Sequence, residues 1–66
     1  MKVTVNGQAR ELPEGTTVAA VVASVTEATT GVAVAVNDEV VSRGAWADTP
    51  VRDLDRVEVL TAVQGG

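Results

Sequence analysis

The hydropathy pattern predicts an α+β domain: two hairpins, one helix and a closing strand, ββ-α-ββ-β, the single helix covering one face of a mixed sheet. Three observations carry this prediction. An Asn6-Gly7 pair separates two alternating segments. One stretch places its valines at helical spacing. Two later stretches, "VAVAVNDEVVS" and "RVEVLTAV", alternate with the period of a strand.

In "KVTVNGQAREL", Val3 and Val5 alternate with Lys2 and Thr4. Asn-Gly favours a type I′ turn, which needs φ > 0 at both central residues. Gln8 to Leu12 is then the return strand, ended by Pro13 and the loop "PEG". In "TTVAAVVASVTEATTG", Val18, Val21, Val22 and Val25 fall at i, i+3, i+4 and i+7, one helical face. Thr16 or Thr17 can cap its start. Valine is a mediocre helix former, so packing must hold this helix. Gly31 closes the region.

The second hairpin turns Val32, Val34 and Val36 one way and Ala33 and Ala35 the other. Its turn is Asn37-Asp38 or Asp38-Glu39, and Val40 and Val41 begin a short return strand. "RGAWADTPVRDLD" is a connection whose Trp46 and Val51 tuck into the edge of the core. The last strand sets Val57, Val59, Thr61 and Val63 on one face. Arg56, Glu58, Leu60 and Ala62 point outward. Leu60 and Ala62 form a flat docking patch with Ala33 and Ala35, or stand as scattered apolar residues of the ordinary kind.

With 66 residues the chain suffices for one small domain. Nine acids against five bases give a formal charge of −4. That balance argues against nucleic acid and against an anionic membrane surface, both of which attract Lys/Arg patches. Cysteine and histidine are absent, which excludes disulfides, thiol nucleophiles, His-dependent triads and His-based zinc sites. No cofactor is expected. Ser24 and Ser42 lie in no nucleophile-elbow pattern. Asp53 and Asp55, two apart, are too bare a cue for a metal or an acid/base pair and fit turn decoration better. The apolar runs fall far short of the ~20 residues a membrane span needs. No export segment is evident, so a cytoplasmic protein is expected.

The chain ends on "TAVQGG". At an average glycine frequency of about 7%, a terminal diglycine arises by chance in roughly 0.5% of sequences. A carboxylate is a poor electrophile and reacts only after activation, for instance as an acyl adenylate inside another protein's site. A tail entering such a site must pass a narrow channel. Glycine lacks Cβ, permits close approach and leaves the terminal carbonyl open to attack. Val63 to Gly66, extended, reach roughly 13 Å at ~3.3 Å each. A chain with little means of catalysis and one prepared carboxylate reads as a carrier, not an enzyme.

The stretches "VNGQARELPEGTTVAAVV", "VAVAVNDEVVSRGAW" and "VRDLDRVEVLTAVQGG" together closely resemble the ThiS family of thiamin-biosynthesis sulfur carriers. The resemblance spans essentially the whole chain. It rests on Asn37, Val40-Val41-Ser42-Arg43, Trp46, the ending "AVQGG" and the total length. It implies a β-grasp, ubiquitin-like fold over residues 1–63 with a flexible tail at 64–66. It also implies that the first and last strands are parallel neighbours at the sheet centre.

Function follows from the same resemblance. An ATP-dependent adenylating enzyme activates Gly66, while Gly65, Gln64 and Val63 thread its site. Sulfur from a donor such as a cysteine desulfurase or persulfide protein then makes a C-terminal thiocarboxylate. Thiazole synthase consumes it, and Leu60 and Ala62 become candidate partner contacts. Two alternatives share the chemistry: a carrier for a molybdopterin-type pathway, whose members usually carry prolines before the diglycine, and a protein modifier joined to lysines. One departure stands out. The family usually has glycine where this chain has Leu54, so the turn before the last strand is expected to differ locally.

Overall fold

A computed structural model describes residues 1–28 and 30–62. Its elements are β1 (Lys2–Val5), β2 (Gln8–Glu11), α1 (Val18–Val25), β3 (Val32–Val36), β4 (Glu39–Val41) and β5 (Arg56–Thr61), with a short 3-10 helix at Arg43–Asp48. The five strands form one sheet in the order β2-β1-β5-β3-β4. β1 and β5 run parallel; the β1–β2, β3–β4 and β3–β5 pairs are antiparallel. The sheet is therefore mixed and the fold is a β-grasp.

Both hairpin turns use asparagine at positive φ. Asn6 and Gly7 have φ 49° and 82°, as a type I′ turn requires. Asn37 and Asp38 have φ 51° and 72°, which fixes the second turn at Asn37-Asp38. β2 stops at Glu11, one residue before the expected Leu12, yet Leu12 and Met1 still exchange two backbone hydrogen bonds at 2.8 and 2.9 Å.

The helix buries Val18, Val21 and Val22 and half-buries Val25. Thr17, not Thr16, is the cap: its hydroxyl accepts from the Ala20 N–H at 3.2 Å. The Thr16 hydroxyl instead donates to the Pro13 carbonyl. The helix ends at Val25, six residues before Gly31. Thr26 turns extended at φ −148°, and its hydroxyl accepts from Ala28 N–H. Two backbone bonds, Val18 N–H to Thr49 O and Val51 N–H to Thr16 O, tie the helix start to the segment before β5.

Nine valines and Trp46 make the buried core among the described residues. Branching at Cβ suits valine to the pleated surface, and a narrow side chain suits a sheet covered by one two-turn helix. Trp46 and Val51 are both part of that core, and the indole N–H donates to Val41 O at 2.9 Å. The outer face of the indole carries the Arg43 guanidinium, 5.4 Å from the ring centroid.

β5 lies centrally, between β1 and β3, and ends at Thr61. The sequence pattern continues it to Val63, but Ala62 already forms a turn. Val63, and the expected domain boundary just after it, lie outside the described residues. Among the described residues, no helix is long and apolar enough to cross a membrane.

Candidate functional site

The end of β5 leads in sequence directly into Val63, Gln64, Gly65 and Gly66, the residues expected from the sequence to carry the chemistry. Those four residues lie outside the described structure. Their immediate support does not. β3 pairs with β5 as far as Val32 opposite Thr61. On the other side β1 stops at Val5, opposite Val57. Beyond that point the Asn6 side chain takes over the role of a strand. Its Oδ1 accepts from Val59 N–H at 2.8 Å and its Nδ2 donates to Val59 O at 3.2 Å. A depression of about 330 Å³ opens here, lined by Asn6, Val25, Thr26, Val59, Leu60 and Thr61.

The strand period places Val57 and Val59 under the helix and Arg56, Glu58 and Leu60 on the open face. Leu60 is 69% exposed and lies directly opposite Ala33. Ala35 faces Glu58 on one side and Val40 on the other. Val40 is 82% exposed, so Ala33, Ala35, Val40 and Leu60 share one shallow apolar surface of about 100 Å³. Ala62 is exposed too but sits past the strand, outside that lining, bonded through its N–H to Gly31 O at 2.6 Å.

Charge surrounds this surface. Arg56 pairs with Asp38 and, at 3.8 Å, with Glu58. The hydrogen bond that the guanidinium donates to the Asp38 carboxylate, and the negative charge of that carboxylate, hold its pKa above the ordinary value, so it stays a cation. Asp38 and Glu58, two acids against the one base they pair with, leave this rim net acidic.

Val40 was not apparent in the sequence as a member of this patch. The turn decides its neighbour: a turn at 37–38 puts Val40 opposite outward-facing Ala35, whereas a turn at 38–39 would put it opposite Asn37 on the same face. The two aspartates of interest serve structure. Asp53 Oδ1 accepts from Lys2 N–H at 2.7 Å, and Asp55 accepts from Asn37 Nδ2 and Arg52 N–H at 2.9 and 2.8 Å. The Ser24 hydroxyl donates to Val21 O at 2.7 Å. Among the described residues no group of three or more acidic side chains is placed to hold a metal.

The turn before β5 corrects one expectation. Leu54 does not avoid the left-handed region; it adopts φ 72°. Three bonds hold it there: Leu54 N–H to Lys2 O, Asp55 N–H to Arg52 O, and Arg52 N–H to the Asp55 carboxylate. The turn thus keeps the backbone glycine favours, with leucine in it, and the side chain is 77% exposed.

Comparison with known proteins identifies the family and the fold. Residues 3–66 match the ThiS family. A crystal structure of ThiS from Geobacter metallireducens, described as a thiamine biosynthesis protein, matches at 35% identity and a TM-score of 0.79, covering 100% of both chains. No curated protein sequence is significantly similar. The chain belongs to the ThiS family.

Proposed function

We propose that this ThiS-family chain is a sulfur carrier whose Gly66 carboxylate becomes a thiocarboxylate for thiazole formation in thiamin biosynthesis. The observation that carries the reading is the family match running through the diglycine. The position of β5 supports it. A tail continuing from the central strand of a sheet starts from the most rigid part of the domain.

The chemistry takes two steps in partner proteins. A Gly66 carboxylate oxygen attacks the α-phosphorus of ATP in the activating enzyme, and pyrophosphate leaves. The terminal sulfur of a persulfide, supplied by a cysteine desulfurase or similar donor, then attacks the acyl carbon and AMP leaves. A thiol reductant supplies two electrons to cleave the resulting S–S bond, leaving the sulfur on the carrier and a thiol on the donor. Thiazole synthase takes that sulfur. This chain supplies no acid or base for these steps. It supplies the electrophilic carbon, a slim tail through Val63, Gln64 and Gly65, and a surface that docks. Leu60 with Val40, Ala33 and Ala35 forms the apolar centre of that surface and the acidic rim selects a basic partner. Ala62 lies at its margin. The reactions belong in the cytoplasm, where ATP is available.

A strain lacking the gene tests the assignment. Restoration of growth by added thiamin alone supports the thiazole pathway. Recovery only of molybdoenzyme activity on complementation supports the molybdopterin-type carrier instead, and high-mass conjugates of the tagged protein support a modifier of lysines.

A further inference from the structure

Gly31 occupies an unusual position. Its φ is +70°, and a Cβ built on it would lie 2.9 Å from the Ala62 Cβ, closer than real Cβ contacts come. Its carbonyl accepts the Ala62 N–H at 2.6 Å. The pair sits one residue beyond the last register pair of β3 and β5, Val32 opposite Thr61. On the β1 side, the Asn6 bonds reach no further than Val59. Ala62 is thus held from the β3 side, by a residue whose missing side chain lets the two backbones meet.

We propose that Gly31 is a positioning residue for sulfur loading: its contact with Ala62 sets the point and direction from which the last four residues enter the activating enzyme. The inference rests on the carrier reading. A Cβ at Gly31 has two effects. It strains a left-handed backbone, a cost to stability alone. It also pushes Ala62 away and so moves the point at which the chain leaves the sheet. Misplacing a reacting group by about 1 Å can cost on the order of 100-fold in rate. Gly31 lies outside the lining of the apolar surface made by Ala33, Ala35, Val40 and Leu60, so binding of the folded body is expected to be largely preserved.

Gly15 provides the control. It has φ +87° with nothing within 4 Å of a built Cβ. It follows β2, at the opposite end of the sheet from Ala62. Gly15→Ala therefore carries the backbone strain without the contact. Wild type, G31A, G15A and the double variant G31A/A62G are compared by thermal melting and by steady-state kinetics of thiocarboxylate formation. The reaction contains activating enzyme, ATP and a persulfide donor.

G31A and G15A are expected to melt similarly below wild type. G31A alone is expected to lose about 10- to 100-fold in kcat, with KM for the carrier within about twofold of wild type. Removing the opposing Cβ in G31A/A62G restores part of that kcat. If G31A does not fold, Gly31→Asn, which tolerates positive φ but retains a Cβ, takes its place. G31A kinetics equal to those of G15A, or a change confined to KM, overturns the positioning role. A wild-type protein that accepts no sulfur overturns the carrier reading itself, an outcome separable from either of these.

Discussion

Leu54 is the residue at which local preference and tertiary structure disagree most openly. A left-handed leucine costs about 1–2 kcal/mol relative to its ordinary conformations. At 77% exposure its side chain contributes little packing in return. Leu54→Gly should therefore raise stability by about 0.5–1 kcal/mol after glycine's greater unfolded-state freedom is set against the relief. In a domain this small that corresponds to a few degrees in Tm, and a lowered melting temperature would show the turn to be unstrained. The sequence marks Leu54 as out of place, but the outcome depends on Lys2, Arg52 and Asp55 holding the backbone, contacts no local pattern reveals. Asn6 is the converse. Its part in the turn is legible from Asn-Gly, whereas its two bonds to Val59 are not, since they span 53 residues. Asn6→Ala should cost about 2 kcal/mol in chemical denaturation, from two lost hydrogen bonds. Asn6→Asp, which keeps the acceptor for Val59 N–H, should fall between Asn6→Ala and wild type.

At the scale of elements, period and turn chemistry were sufficient wherever one face is buried. The helical valines, both hairpins and the alternation along β5 follow from side-chain spacing alone. Ends were less legible. The helix stops at Val25, where the Thr26 hydroxyl offers the backbone another partner, and β5 stops at Thr61, where Ala62 turns while still bonded to Gly31 O. The 3-10 helix at Arg43–Asp48 has no periodic apolar signal, being organised around the one indole it buries. At the helix start, Thr17→Ala should lower stability by about 1 kcal/mol while Thr17→Ser stays near wild type. Equal melting of all three proteins would show that the bond to Ala20 N–H adds nothing.

For the whole molecule, the decisive feature is how little core supports a sheet with one open face. Val57 is fully buried at the centre of β5. Val57→Ala should cost about 2–3 kcal/mol from lost methyl burial and the space left behind. Total stability at this size is only about 3–10 kcal/mol, so the loss should be plain in a denaturant titration; an unchanged midpoint would contradict central burial. The open face behaves oppositely. Leu60→Asp and Val40→Asp should leave melting nearly unchanged and weaken binding to the activating enzyme by about tenfold or more, as at a buried interface centre. Binding should also weaken with added salt, because the acidic rim acts through screened charge. Leu60 was legible as part of this face from strand period, whereas the place of Val40 beside Ala35 depends on the turn falling at Asn37-Asp38.

The most direct measurement is the intact mass of the protein after incubation with activating enzyme, ATP and a persulfide donor. A gain equal to the difference between sulfur and oxygen, located by fragmentation at Gly66 and lost when one residue is added after it, is the predicted result. An unchanged mass, under conditions that convert another ThiS carrier, would contradict the carrier role.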